Sequence, residues 1–132
     1  ELPRYSALRL LASHFADEPE TRALLTDHAT TDPHEYPRAT ALRLLASQFA
    51  DEPETRALLT NRATTEPHEL PRATALELLA DHFADEPETR ALLTNRATTE
   101  PHELPRATAL RLLADHFADE PETRALLTNR AT

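Results

Sequence analysis

The chain contains no glycine, cysteine, methionine or tryptophan. Valine, isoleucine and lysine are missing as well, and aromatic residues make up 5% of its 132 positions. Each absence removes a class of structure or chemistry. Without valine, isoleucine and glycine, the usual vocabulary of strands and tight turns is gone. Without cysteine there is no disulfide, no thiolate nucleophile and no Cys-ligated zinc, and the redox compartment stays open. No glycine loop is present to cradle a phosphate. No apolar run approaches the roughly 20 residues that cross a bilayer, and no signal-peptide pattern opens the chain. A soluble protein without membrane contact, cytoplasmic by default, is the expectation. The 14 arginines are outnumbered by 23 acidic residues, giving a formal charge of -9, and they are spaced evenly. Binding a phosphate backbone needs clustered cations, so nucleic acid is not an expected partner, and the acidity mainly serves solubility.

What remains is mostly Ala, Leu, Arg and Glu, all strong helix formers, and an all-α protein follows. The sequence repeats with a period of 34 residues. Its units are 1–34, 35–68, 69–102 and 103–132, and the third and fourth differ only at Glu77 against Arg111. A fixed period of this size marks a solenoid, in which each unit buries its apolar face by stacking on neighbours. The reading is one repeat domain over 1–132, an α-solenoid of four 34-residue helix-turn-helix repeats. Any catalytic constellation would have to recur about once per unit. Nothing resembles a nucleophile with its base or an acid pair in a pocket, so we expect no enzyme, catalytic residue or cofactor.

The third unit reads as two helices. Ala73, Leu76, Leu79, Ala80 and Phe83 fall at helical spacing, with Ala75 and Leu78 widening the stripe. Arg72, Thr74, Glu77 and Asp81 are expected on the opposite, polar side. The helix should start between Pro67 and Pro71, since proline is tolerated only in a first turn. A second helix follows at Asp85-Glu86-Pro87-Glu88, read as an Asp85 N-cap with a capping-box Glu three residues on. Glu86 precedes Arg90 by four residues, the favourable order for a surface pair. Leu92, Leu93 and Ala97 face inward, and the helix fades at Thr98 and Thr99.

Two helical families share this general pattern. The tetratricopeptide repeat needs a small Gly where its helices cross, and this chain has none. The turn acids Asp32, Glu66 and Glu100 are each followed by Pro, then six residues after the acid by Arg38, Arg72 or Arg106. An apolar run Ala-Leu-x-Leu-Leu-Ala comes next. With these features the unit resembles a HEAT-type repeat of the short bacterial kind, as in the C-terminal arrays of NACHT-type signalling NTPases. In such repeats the acid and the arginine form a ladder between neighbouring units. The resemblance implies that role for Asp32, Arg38, Glu66, Arg72, Glu100 and Arg106. It also implies that the second helices line a concave, partner-binding side. Pro71 stands where such repeats often carry Val, which bears on where the first helix starts.

The Asn-Arg pairs at the end of the second helix, Asn61-Arg62, Asn95-Arg96 and Asn129-Arg130, are then the candidate interaction surface for a protein partner. Helix C-terminal charge complementarity explains the arginines equally well. The histidines recur singly, His14, His82 and His116 at one position and His34, His68 and His102 at another. Equivalent residues on stacked helices lie about 8–10 Å apart, too far to share a metal, so no metal site is expected. Glu77, between Arg43 and Arg111, reads as relief of like-charge repulsion. Neither end changes to a polar capping unit: unit four keeps Leu110, Leu113, Phe117, Leu126 and Leu127, while unit one differs mildly at Tyr5, Ser6 and Asp27-His28. Uncapped ends predict head-to-tail self-association into a ring or similar closed homo-oligomer. A ligand-sensing region cut from a bacterial signalling NTPase is the alternative. The near identity of the units and the clean cuts at both ends suggest an excised or engineered piece of a longer array, although a recently amplified natural gene would look the same.

Overall fold

A computed structural model describes residues 2–131 and shows eight helices and no strand among them. They are α1 (Leu2–His14), α2 (Pro19–Thr31), α3 (Glu35–Gln48), α4 (Pro53–Thr65), α5 (Glu69–Phe83), α6 (Pro87–Thr99), α7 (Glu103–His116) and α8 (Pro121–Ala131). Side chains are described from Ser6 onward, so the side chain of Tyr5, used in reading unit one, lies outside the described residues. Each odd-numbered helix packs on the odd-numbered helices beside it. Each of α2, α4 and α6 packs most closely on the odd helix that follows, more than on its own pair-mate. The result is an α-solenoid of helix pairs. One apolar core runs through it from Leu8 to Leu113.

The prolines set the helix starts. α3, α5 and α7 begin at Glu35, Glu69 and Glu103, which places Pro37, Pro71 and Pro105 third in the helix. The first amides of a helix have no partner within it, so a proline there forfeits no hydrogen bond. The first such bond in α5 runs from Arg72 N to His68 O at 3.3 Å. Pro53, Pro87 and Pro121 open α4, α6 and α8. The absence of glycine is felt at the C-termini. None of the described residues has positive φ, so the left-handed cap is not used among them. Instead, Glu66 and Glu100 end α4 and α6 in extended backbone, each followed by a proline that prevents further helix.

Three local expectations are corrected. The N-cap of α6 is Glu86, not Asp85, and it makes no side-chain capping bond. With Pro87 first in the helix, the third helical residue is Thr89, and no acid stands at the capping-box position. Arg90 does not pair with Glu86, because Glu86 lies outside the helix with ψ near 125°; Arg90 reaches Glu120 and Glu122 instead. Arg72 and Thr74, expected on a polar face, are buried. Helix α5 is covered by α3, α4 and α7 together, and burial therefore extends around most of its circumference.

The helices α4, α6 and α8 share the sequence PETRALLTNRA, so helix propensity cannot separate them. Packing does. Leu59 and Leu93 are fully buried, whereas Leu127 is only half-buried and Ala131 is exposed. Amides of α8 should exchange with deuterium about tenfold or more faster than those of α4 and α6, measured at a dilution where copies do not meet. Equal protection of the three helices would contradict this account.

Candidate functional site

Buried arginines join the turns between helix pairs. Arg38, in the first turn of α3, donates from Nε and Nη2 to the Glu66 carboxylate at 2.6–3.1 Å. Its Nη1 donates to the main-chain oxygen of Asp32 at 2.7 Å, and its Nη2 to His68 Nδ1 at 2.8 Å. Arg72 repeats the arrangement, with Glu100 at 2.6 and 3.2 Å and the Glu66 carbonyl at 2.9 Å. Arg106 donates to the Glu100 carbonyl at 3.1 Å and to that of Pro101 at 3.4 Å, and meets no carboxylate among the described residues. Arg38 and Arg72 thus each span two turns, reaching back six residues to a carbonyl and forward 28 to a carboxylate, whereas Arg106 makes only the backward contact. The acids Asp32, Glu66 and Glu100 are buried. Their carboxylates also accept from the amides of His34, His68 and His102 at 2.9–3.4 Å, which fixes the turn locally.

The Asn-Arg pairs are partly drawn into the same network. Arg62 Nη1 lies 3.4 Å from Glu66, and Arg96 Nη1 lies 3.5 Å from Glu100. Both guanidinium groups also donate to the preceding asparagine Oδ1 and to the hydroxyl of Thr65 or Thr99. Arg62 and Arg96 are therefore half-buried and held against the turns. Arg130 instead reaches the Thr98 carbonyl of the preceding pair at 3.3 Å. Asn61, Asn95 and Asn129 are exposed. In unit one, His28 replaces the arginine and meets Asp32 at 3.1 Å. A shorter acid and a shorter basic side chain stand together here, and the contact is kept. This use of Arg62 and Arg96 was missed in the sequence, although a signal was there: each stands four residues before its turn acid.

Several other charged side chains make contacts nearer the surface. Arg111 Nη2 lies 2.9 Å from Glu77, while Arg43 turns to the Thr74 hydroxyl at 3.3 Å. His116 lies 3.7 Å from Asp81 and His102 lies 3.7 Å from Glu69. No three potential ligands converge on one point among the described residues.

Repeat faces form the second feature of interest. Ala73, Leu76 and Ala80 of α5 are buried under α7 and its neighbours. Their counterparts Ala107, Leu110 and Ala114 on α7 are exposed or half-buried. At the other end Ala41 and Leu45 are buried, while Ala7 is exposed and Leu11 half-buried; Leu10 and Phe15 are 56% and 53% exposed. Identical or nearly identical sequence is therefore covered or uncovered by position alone. One stripe of each odd helix serves the preceding pair and another serves the following pair.

Stacked two-helix units, held at their turns by buried acid–arginine bonds, define a repeat scaffold. The family model for HEAT repeats matches residues 22–114, and the chain belongs to that family. Searches against curated proteins and against solved structures returned no match. HEAT repeats generally serve as protein-interaction scaffolds and are typically non-enzymatic.

Removing one partner of a buried ion pair strands the other charge, at a cost of about 3–5 kcal/mol. Glu66→Ala should lower stability by about that amount in urea unfolding, because Arg38 and Arg62 both lose their carboxylate. The double change Arg38→Met with Glu66→Leu should cost clearly less than the sum of the single changes. A loss below about 1 kcal/mol for Glu66→Ala would refute a structural role for this bond.

Proposed function

We propose that the chain is a non-enzymatic scaffold whose two outer repeat faces bind one another. Copies then associate head to tail and close into a ring or similar assembly. The carrying observation is the pair of uncovered faces. Ala107, Leu110 and Ala114 on one side match residues that the next helix pair buries inside the chain. Ala7, Leu10 and Leu11 on the other match residues that cover such a face. The occupant best fitted to either face is therefore a second copy of the same repeat. Contacts of this kind are heterologous: each copy uses two different surfaces, and a ring forms when the rotation per copy closes.

Light scattering over a wide concentration range tests this reading. A plateau at a fixed multiple of 14.8 kDa is expected for a closed assembly. Leu110→Glu places a charge on the following face, where Leu110 is only half-buried within its own chain. Covering a leucine contributes about 1.5–3 kcal/mol, so this variant should need about ten- to a hundredfold more protein to associate. Its helicity should be unchanged. A mass of one chain at every concentration for the unaltered sequence would end the proposal.

A further inference from the structure

Charges on the rim of two of the three interior junctions pair in a pattern that the outer faces leave half complete. Arg56 Nη1, on α4, lies 3.6 Å from Glu86 and 3.9 Å from Glu88 of the next helix pair. Arg90 Nη1, on α6, lies 3.3 Å from Glu120 and 3.8 Å from Glu122. At the first junction, Arg22 shares a hollow of about 250 Å³ with Glu18, Phe49 and Glu52 without closing an ion pair. Arg124 is the next arginine in this series. It is exposed, lines an open depression on α8 with Ala125 and Thr128, and forms no ion pair with a described residue. At the other end Glu18 and Glu20, at the start of α2, are the counterparts of Glu120 and Glu122; they too are exposed and form no ion pair with a described residue.

We propose that Arg124 of one copy pairs with Glu18 and Glu20 of the next, and that this rim contact fixes the register in which the outer faces meet. The inference rests on the head-to-tail reading above. Its physical basis is a division of labour. Apolar burial is non-directional, and faces built from Ala and Leu tolerate sliding along the helix axes. Opposite charges at the edge penalise a wrong register and a wrong orientation, because misplacement leaves like charges together or a cation without its acid. A contact between two α8 faces supplies no member of the Glu18–Glu20 pair to Arg124, so the rim favours head-to-tail order over a two-fold dimer.

A charge exchange tests the pairing. Arg124→Glu in one chain and Glu18→Arg with Glu20→Arg in another each set like charges against each other in self-association. Each chain alone should need about tenfold more protein than the unaltered sequence to assemble. An equimolar mixture should return to the unaltered behaviour, since both contacts in an alternating assembly then join opposite charges. Circular dichroism checks that each chain keeps its helices. Arg124→Gln removes the charge without reversing it, should weaken assembly about threefold, and serves if a reversed chain does not fold. Assembly of the unaltered chain that neither reversed variant weakens would overturn the rim pairing and leave the head-to-tail reading standing. Weakened variants that fail to recover on mixing would overturn it as well. If the unaltered chain never associates, both proposals fall.

Discussion

The buried arginine that bridges successive turns is the constraint on which the array depends. Arg38 and Arg72 are nearly withdrawn from water, and a guanidinium there must satisfy its donors within the protein. It does so only when two turns are in place at once, one supplying a carbonyl six residues back and the other a carboxylate 28 residues ahead. The two spans add to 34, the length of the repeat. The period of the sequence is thus tied to a bond network as well as to helix length. A lost or gained residue within a unit moves either the carbonyl or the carboxylate away from the arginine.

The ladder fixes local geometry, while apolar burial supplies most of the driving force. A buried ion pair returns little net stability once desolvation is counted, but a mismatched one is costly. That asymmetry suits a protein whose units are nearly identical. Leu and Ala stripes on neighbouring helices would accept several offsets, whereas the bidentate Arg–Glu contact accepts one. Unit one shows how far the network can be varied. Asp32 with His28 takes the place of a Glu with an Arg, and the Asp32 oxygen sits closer to the His34 amide than its longer counterparts do to theirs.

Much of this was legible in the sequence, because repetition and proline punctuation are local signals. The helix pairs, the start of α5 within the stretch from Pro67 to Pro71, and membership of the HEAT family could all be read from one unit. The errors arose where a residue serves a neighbour. Arg72 and Thr74 look polar on a helical wheel, yet α5 is covered by three helices and both are buried. Glu86 and Arg90 have the spacing of an intrahelical pair, yet the proline places Glu86 outside the helix and Arg90 joins the next unit. The part played by Arg62 and Arg96 could have been read from their place four residues before each turn acid, but helix C-terminal charge complementarity accounted for the same arginines.

The same limit explains why position governs this molecule more than residue identity does. In a solenoid each unit draws its stability from its neighbours, so equal sequences acquire unequal environments. Leu76 and Leu110 occupy equivalent places in nearly identical units, yet one is fully buried and the other half-covered. An array can mark its end by making such positions polar, and the sequence here repeats leucine instead. A face with no mark of an end is suited to more of the same repeat, whether that continues the chain or belongs to another copy. The apolar stripe can accept either one, since it is the stripe each interior pair already covers. What separates an ordered junction from a loose hydrophobic contact is then the edge of the face. In the pairing proposed above, a few charges there, at fixed spacing, favour one register over the others.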